Sequence, residues 1–264
     1  MSDLAARVRR EPPSFRAVRV SRIEDLSPRL RRVTLTGPAL IGLDPGLPAA
    51  SVRLLLPSPG QPELVVPTWT GNEFLLGGGQ RPVIRTYTPR RFDPLALELD
   101  VDVVLHDAGV ASAWAERAES GAPAAVSGTG RGYTIDPDAL AFLLGGDEAA
   151  IPAISVLLDA LPAAVPVQVL VEVARPDARL DLPAHPSATI TWLDLPAGAP
   201  PGGALHDAIV NAAVDPAARV WVAGEAAAVQ RIRRHLFDDR GLARSQCTVR
   251  GYWKHGRAGG GDTD

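Results

Sequence analysis

At 264 residues the chain is long enough for two ordinary domains, and 46% hydrophobic with 22% charged residues is the balance of a soluble globular fold, rich in turns at 25 Pro and 25 Gly. A net charge of −3 argues against nucleic-acid binding, which draws on an excess of Lys and Arg. The one cysteine, Cys247, excludes intrachain disulfides, cysteine-ligated iron–sulfur clusters and multi-cysteine zinc sites, so any redox chemistry must come from a bound cofactor.

Residues 1 to 14 read as a basic, frayed start closed by Pro12-Pro13. Met1 to Arg10 carries charges where a signal peptide needs an apolar core, and no run of 18 uncharged apolar residues occurs, which predicts a cytoplasmic protein without membrane insertion. Short β-type segments follow, each bounded by Pro, Gly or Asp: Phe15 to Ser21, Leu30 to Thr36, Ser51 to Leu56, Val83 to Thr88 and Ala96 to His106. In the last of these Leu97, Leu99, Val101 and Val103 alternate with Glu98, Asp100 and Asp102, the period of a strand with two unlike faces. Strands at this spacing predict an antiparallel barrel. Residues 57 to 82 read as a long loop with one weak strand around Glu73 to Leu76.

Arg85-Thr86-Tyr87-Thr88-Pro89-Arg90 concentrates a planar cation, a ring and two hydroxyls in one extended segment. On a strand Arg85 and Tyr87 share a face, a pairing that suits a ligand with both phosphate and a flat heteroaromatic system. The same residues also suit an edge strand with Tyr87 on the core and solvated arginines. After His106, small residues from Gly109 to Ser112 lead into a helical pattern, and the free amides of a first helical turn make an anion site; close helix packing on the barrel would explain the same residues. Pro123 to Ser127 completes the strands. The glycines of Gly128 to Gly132 precede no helix and are not a dinucleotide fingerprint.

From about Tyr133 strands alternate with helices, the pattern of a parallel α/β sheet. Ala141 to Gly146 is an apolar strand, Asp147 an N-cap, and Ile151, Ile154, Leu158 and Leu161 the apolar face of the next helix. Gly145 to Ala150 is thus a turn at a strand's carboxyl end, where open α/β sheets bind ligands. Val165 to Val173 is a buried strand carrying Glu172, which could bond a ribose hydroxyl, while Arg175 and Arg179 could neutralise a 2′-phosphate instead. Thr189 to Leu193 predicts a strand, His206 to Val214 a helix, Arg219 to Glu225 a strand, and Ala226 to Arg240 a helix with Val229, Ile232 and Leu236 inward and Arg231, Arg233, Arg234 and Arg240 solvated. Cys247 to Arg250 is the last strand, and residues 258 to 264 have the composition of a disordered tail.

In their order and spacing, Arg85 to Arg90, Asp102 to His106, Gly109 to Ala115, Gly146 to Ile154, Val171-Glu172-Val173, Ala223-Gly224-Glu225 and Gly251 to Gly256 resemble the siderophore-interacting proteins, flavin-dependent ferric-siderophore reductases of the ferredoxin-reductase superfamily. The resemblance runs from about residue 15 to residue 257. It implies two domains, β followed by α/β: an N-terminal antiparallel, Greek-key-like β-barrel that binds FAD (residues 15–135) and a C-terminal parallel α/β nucleotide-binding sheet for NADPH or NADH (136–257). Arg85 would hold the flavin's phosphate, Tyr87 would stack along the ring system, and Thr88 would hydrogen-bond the ring near its hydride-accepting nitrogen, which makes Tyr87 and Thr88 the residues nearest the chemistry. Val104 and His106 would line the flavin and its diphosphate, with Gly109, Val110, Ala111 and Ser112 at the helix start offering amides. Asp147, Glu148, Ala150, Glu172, Gly224 and Glu225 would border the nicotinamide path, and Trp253 and Lys254 would meet an anionic ferric siderophore.

The family usually has Gly-Pro-Ala where Gly109-Val110-Ala111 stands, and Asp-Glu-Thr where Asp147-Glu148-Ala149 stands. The second departure removes a hydroxyl beside the nicotinamide path. No metal ligand set is expected, because the iron arrives inside its chelate, and the partner is that small molecule taken by a monomer. Two rival readings share the residues: a general NAD(P)H:flavin or ferric reductase with another acceptor, and a binding protein that has lost the flavin.

Overall fold

The computed structural model describes residues 14–106 and 109–256, so the readings of the basic start before residue 14 and of the tail at 258–264 lie outside the described residues. Seven of the first nine strands form one antiparallel sheet. β1 (Phe15–Ser27), β2 (Leu30–Thr36), β3 (Val52–Leu56), β6 (Val83–Tyr87), β7 (Pro89–Asp93), β8 (Glu98–Val104) and β9 (Pro123–Ser127) lie in the order β6-β3-β9-β1-β2-β8-β7. The loop between β3 and β6 holds a small hairpin, β4 (Thr68–Trp69) and β5 (Phe74–Leu75), where one weak strand is expected. Its Phe74 ring meets Phe15 edge to face at 5.4 Å and lies 4.8 Å from Trp69 between centroids.

The expected barrel is corrected in one respect: it is barrel-like but not closed by a ladder. The two edge strands, β6 and β7, are joined through the single residue Thr88 and do not pair. Pro89 opens β7 and Pro82 precedes β6, and proline cannot donate to a ladder. The same proline and three charged residues hide β7 from a reading by periodicity. Inside the sheet Val18, Val33, Leu35, Leu54, Leu99, Val101 and Val126 are buried together. The alternation of β8 holds, yet its carboxylates are buried too. Asp100 accepts from Thr34 Oγ1 at 2.6 Å, and Asp102 accepts from Arg32 Nε and Nη2 at 2.8 and 2.9 Å, both across the β2–β8 pair.

The second half is a five-stranded parallel sheet in the order β12-β11-β10-β13-β14: β10 (Phe142–Asp147), β11 (Val167–Val173), β12 (Ala188–Asp194), β13 (Arg219–Glu225) and β14 (Cys247–Trp253). Helix α1 (Val110–Arg117) belongs to the first half and packs against β6 and β8. Helix α2 (Ile151–Ala160) covers one face of the parallel sheet; α3 (Gly203–Asn211) and α4 (Ala226–Arg234) cover the other. Ile151, Ile154, Leu157 and Leu158 of α2 are buried, each worth about 1.5–3 kcal/mol against exposure. That cluster also takes in Leu30 and Ala49 from the first half, so the two halves share apolar contact.

Past Arg234 the chain of α4 widens into a π-turn, His235–Asp239. Arg240, expected on the solvated side, instead turns inward: its Nη2 donates to the carbonyls of Val210 and Ala212 at 2.8 and 2.6 Å, and its Nε to His235 Nε2 at 2.8 Å. A guanidinium that satisfies the orphan carbonyls at the end of α3 is a helix cap, not part of an anion-attracting cluster.

Candidate active site

Arg85 and Tyr87 lie on β6, opposite Leu54 and Val52 of β3. The Arg85 Nη1 donates to Ile84 O at 2.8 Å, and among the described residues no carboxylate is within ion-pair distance of it. Tyr87 is packed against the barrel interior, and burial pushes its hydroxyl up to about 12 against the opposing charge of Arg85. Thr88, at the seam between the edge strands, is buried, and its hydroxyl lies beside that of Tyr252 on β14, holding down a phenol that burial pushes up. The seam is therefore where the two halves of the molecule meet.

Helix α1 starts at Gly109, which offers no side chain as a cap, so its first amides keep their partial positive charge for a ligand. A Cβ on Gly109 would lie 2.6 Å from the His106 ring, which would have to swing aside. Ser112 is buried, its Oγ accepting from His106 N at 2.8 Å and donating to Glu116 Oε1 at 3.3 Å, which ties the end of the β8 segment to the helix. Ala111 is buried as well, so Ser112 and Ala111 face the barrel and only backbone remains for an anion. Val104 packs on the core of the second half and His106 is exposed.

At the carboxyl ends of the parallel strands the structure places four buried acids, each engaged. Asp147 Oδ2 accepts from Trp253 Nε1 at 2.7 Å and Glu225 N at 2.8 Å, and Oδ1 from Ala149 N at 3.0 Å. Burial raises its carboxyl to about 7, the three donors and a neighbouring Glu172 acting in opposite senses. Glu148 takes Arg29 from the β1–β2 turn and the amide of Ala174 at 2.9 Å. Glu172 accepts from Gly202 N at 2.6 Å and Leu205 N at 3.0 Å, capping α3. Glu225 caps α4 through Ala227 and Ala228 amides at 2.7 and 2.9 Å and accepts from His255 N at 3.2 Å.

Both oxygens of Glu172 thus serve a helix start, and Arg175 and Arg179 pair with Asp177 at 3.2 Å and Asp194 at 2.5 Å. Ala150 has no exposed surface and packs under Gly146, where a Cβ would lie 2.3 Å from its own. Gly224 admits the Asp147 carboxylate, since a Cβ there would stand 2.6 Å from Oδ2. Trp253 is partly buried and Lys254 exposed. Reasoning from sequence missed Tyr252 as partner of Thr88 and Arg29 as partner of Glu148. Neither pair has a local signal, for Arg29 and Glu148 are 119 residues apart.

The fold has known counterparts. Residues 139–256 match the siderophore-interacting protein family and residues 19–132 its siderophore-interacting FAD-binding domain. The ferric vibriobactin reductase ViuB of Vibrio cholerae is 30% identical, with 88% of this chain and 86% of that one aligned. A siderophore utilization protein from T. fusca, solved by crystallography, superposes with a TM-score of 0.82 at 35% identity over 94% of this chain and 95% of that one. At 16% identity, a ferredoxin NADP+ reductase from Neisseria gonorrhoeae shares the fold alone, with a TM-score of 0.63 over 90% of this chain and 99% of that one. An open antiparallel sheet followed by a five-stranded parallel one, matched along both halves, makes this chain a member of the siderophore-interacting protein family.

Proposed function

We propose that the protein is an FAD-dependent NAD(P)H:ferric-siderophore reductase that frees iron by reducing Fe(III) to Fe(II) inside its chelate. The observation that carries this reading is the grouping of Arg85, without a carboxylate partner among the described residues, and the glycine-started helix α1, which packs against the strand bearing Arg85 and Tyr87. A cation and a set of amides suit a diphosphate, and the ring of Tyr87 on the same strand as Arg85 suits a flat heterocycle, so the residues present fit FAD. When bound, FAD accepts a hydride from NADPH or NADH and passes electrons singly to the iron.

The chain's own share is to bind and orient. Arg85 and the amides of Val110, Ala111 and Ser112 hold the diphosphate, with Gly109 giving His106 its place beside them. Thr88 brings its hydroxyl to the seam beside Tyr252, where it hydrogen-bonds the flavin ring. On the α/β side Gly224, Glu225, Asp147, Glu148, Ala150 and Glu172 shape the carboxyl-end crevice for the nicotinamide mainly through backbone, because their acidic side chains are taken. Lys254 is the exposed cation on the segment reaching the seam, suited to an anionic ferric chelate. Ferric iron prefers hard oxygen ligands more strongly than ferrous iron does, so reduction loosens the complex without any cage on the protein.

The name of the V. cholerae relative, a ferric vibriobactin reductase, supports the substrate class. Among the described residues no helix is long and apolar enough to cross a membrane, and we place the protein in the cytoplasm as a monomer of two domains divided near residue 135. The test is anaerobic stopped-flow: reduction of bound flavin by NADPH and by NADH, then reoxidation by ferric siderophores. A protein that takes up no FAD, or whose reduced flavin is not reoxidised by any ferric chelate, overturns the reading.

A further inference from the structure

The last described residues do not trail away from the molecule; they are fastened at successive points. The Tyr252 hydroxyl lies beside Thr88 at the barrel seam, Trp253 donates its indole N–H to Asp147 Oδ2 at 2.7 Å, and the amide of His255 reaches Glu225 Oε1 at 3.2 Å. The Trp253 and His255 rings meet edge to face at 6.3 Å. A register shift makes this possible. Gly224 pairs with Gly251, but Glu225 pairs with Trp253, so Tyr252 is the extra residue of a bulge. A bulge re-aims the side chains on either side of it, and here the Tyr252 ring packs edge to face on Trp221 of β13 at 6.3 Å while the Trp253 indole reaches the end of the central strand β10.

Asp147 is shaped for this role. It ends the central strand β10, is 6% exposed, and accepts three donors from three different segments. The cradle around it is built of glycine, since any side chain at Gly224 would collide with the carboxylate. A nucleotide would have to displace those donors to use Asp147 as a ligand.

We propose that Asp147 is a positioning residue for the electron acceptor: it holds the Trp253 indole, and through it Lys254, against the seam at Thr88 where the ferric chelate is reduced. The inference rests on the reductase reading for its catalytic consequence, while the fastening itself stands on geometry alone. Asp147 acts through Trp253, so changes at the two residues are non-additive.

The test uses the full chain. Asp147→Asn and Trp253→Phe are each expected to raise the KM for a ferric tris-catecholate about tenfold, the loss of one hydrogen bond to a charged group, and the double variant to equal the single ones. Independently of FAD, the Trp253 indole N–H resonance, identified by its loss in Trp253→Phe, is expected to lie far downfield and exchange slowly in the native protein, and to move upfield with faster exchange in Asp147→Asn. An unchanged indole signal in Asp147→Asn overturns the proposal. So does additivity of the two variants, or a defect confined to the nicotinamide half-reaction. If Asp147→Asn does not fold, Trp253→Phe with the KM of wild type overturns it as well. A protein that binds no FAD defeats the reductase reading, and the indole measurement still decides the fastening.

Discussion

The guanidinium of Arg29 spans from the barrel to the α/β sheet and grips Glu148, with Nε 3.0 and 2.9 Å from the two carboxylate oxygens and Nη2 2.8 Å from Oε2. Glu148 is buried at the turn into α2, and its other donor among the described hydrogen bonds is the amide of Ala174. Removing the cation leaves a buried carboxylate short of partners. Arg29→Ala is expected to cost about 2–4 kcal/mol, read as a lower urea midpoint; a midpoint equal to wild type would mean that water replaces the guanidinium at no cost.

Glu172 is a helix cap before it is anything else. Its carboxylate takes the amides of Gly202 and Leu205 in a buried setting, and Gly202 holds a left-handed φ of 76° with Ala228 pressed against it. Glu172→Ala is expected to lower stability by roughly 2–4 kcal/mol, two buried donors being left unsatisfied, with Glu172→Gln losing less. Thermal denaturation of both variants checks this. Equal midpoints for Glu172→Ala and wild type would refute the capping role.

Arg85 is expected to govern flavin retention. Arg85→Ala removes a charge-assisted contact to phosphate and should weaken FAD binding about 10–100-fold, while Arg85→Lys retains part of it as a point charge. Flavin content after gel filtration, followed by titration of the stripped protein with FAD, measures the difference. Unchanged retention in Arg85→Ala would remove Arg85 from the phosphate site.

Asp147 sets a pH dependence whose sign follows from burial. Burial lifts its carboxyl from 3.8 to about 7, with the charge of Glu172 on β11 adding to the shift, while Trp253 and the amides of Ala149 and Glu225 hold it down. Between those values the unfolded chain has lost the proton and the folded chain keeps it, so stability falls as pH rises from about 4 to about 7 and then levels off. The loss is on the order of a few kcal/mol. Asp147→Asn has no such proton, so the difference between its urea midpoint and that of wild type should vary with pH across this window. Two parallel pH profiles would contradict the assignment.

Much of this architecture is legible in local chemistry. The alternation of Leu99, Val101 and Val103 marks β8, and the spacing of Ile151, Ile154, Leu158 and Leu161 marks the buried face of α2, because both periods follow from backbone geometry. The change from strands alone to alternating strands and helices separates the two halves for the same reason. β7 stays hidden because Pro89, Arg90 and Arg91 belong to an edge that buries little, so no periodic signal is written there.

The acids are the clearest case of what chain order leaves open. Their position after parallel strands is readable, and it suggests ligand contacts, since that is where such sheets bind. What each carboxylate touches depends on residues 26 to 119 positions away: Ala174 and Arg29 for Glu148, Gly202 for Glu172, Trp253 for Asp147. By itself the sequence determined the elements, the two-part order and the kinds of groups brought to the seam, because these depend on residue type and period. Only the tertiary structure decided that the barrel stays open at Thr88, that Tyr252 lies beside it there, and which distant donors the buried acids take, Arg29 for Glu148, Gly202 and Leu205 for Glu172 and Trp253 for Asp147, because a buried carboxylate takes the donors the packed chain brings within about 3 Å and no local pattern encodes those partners.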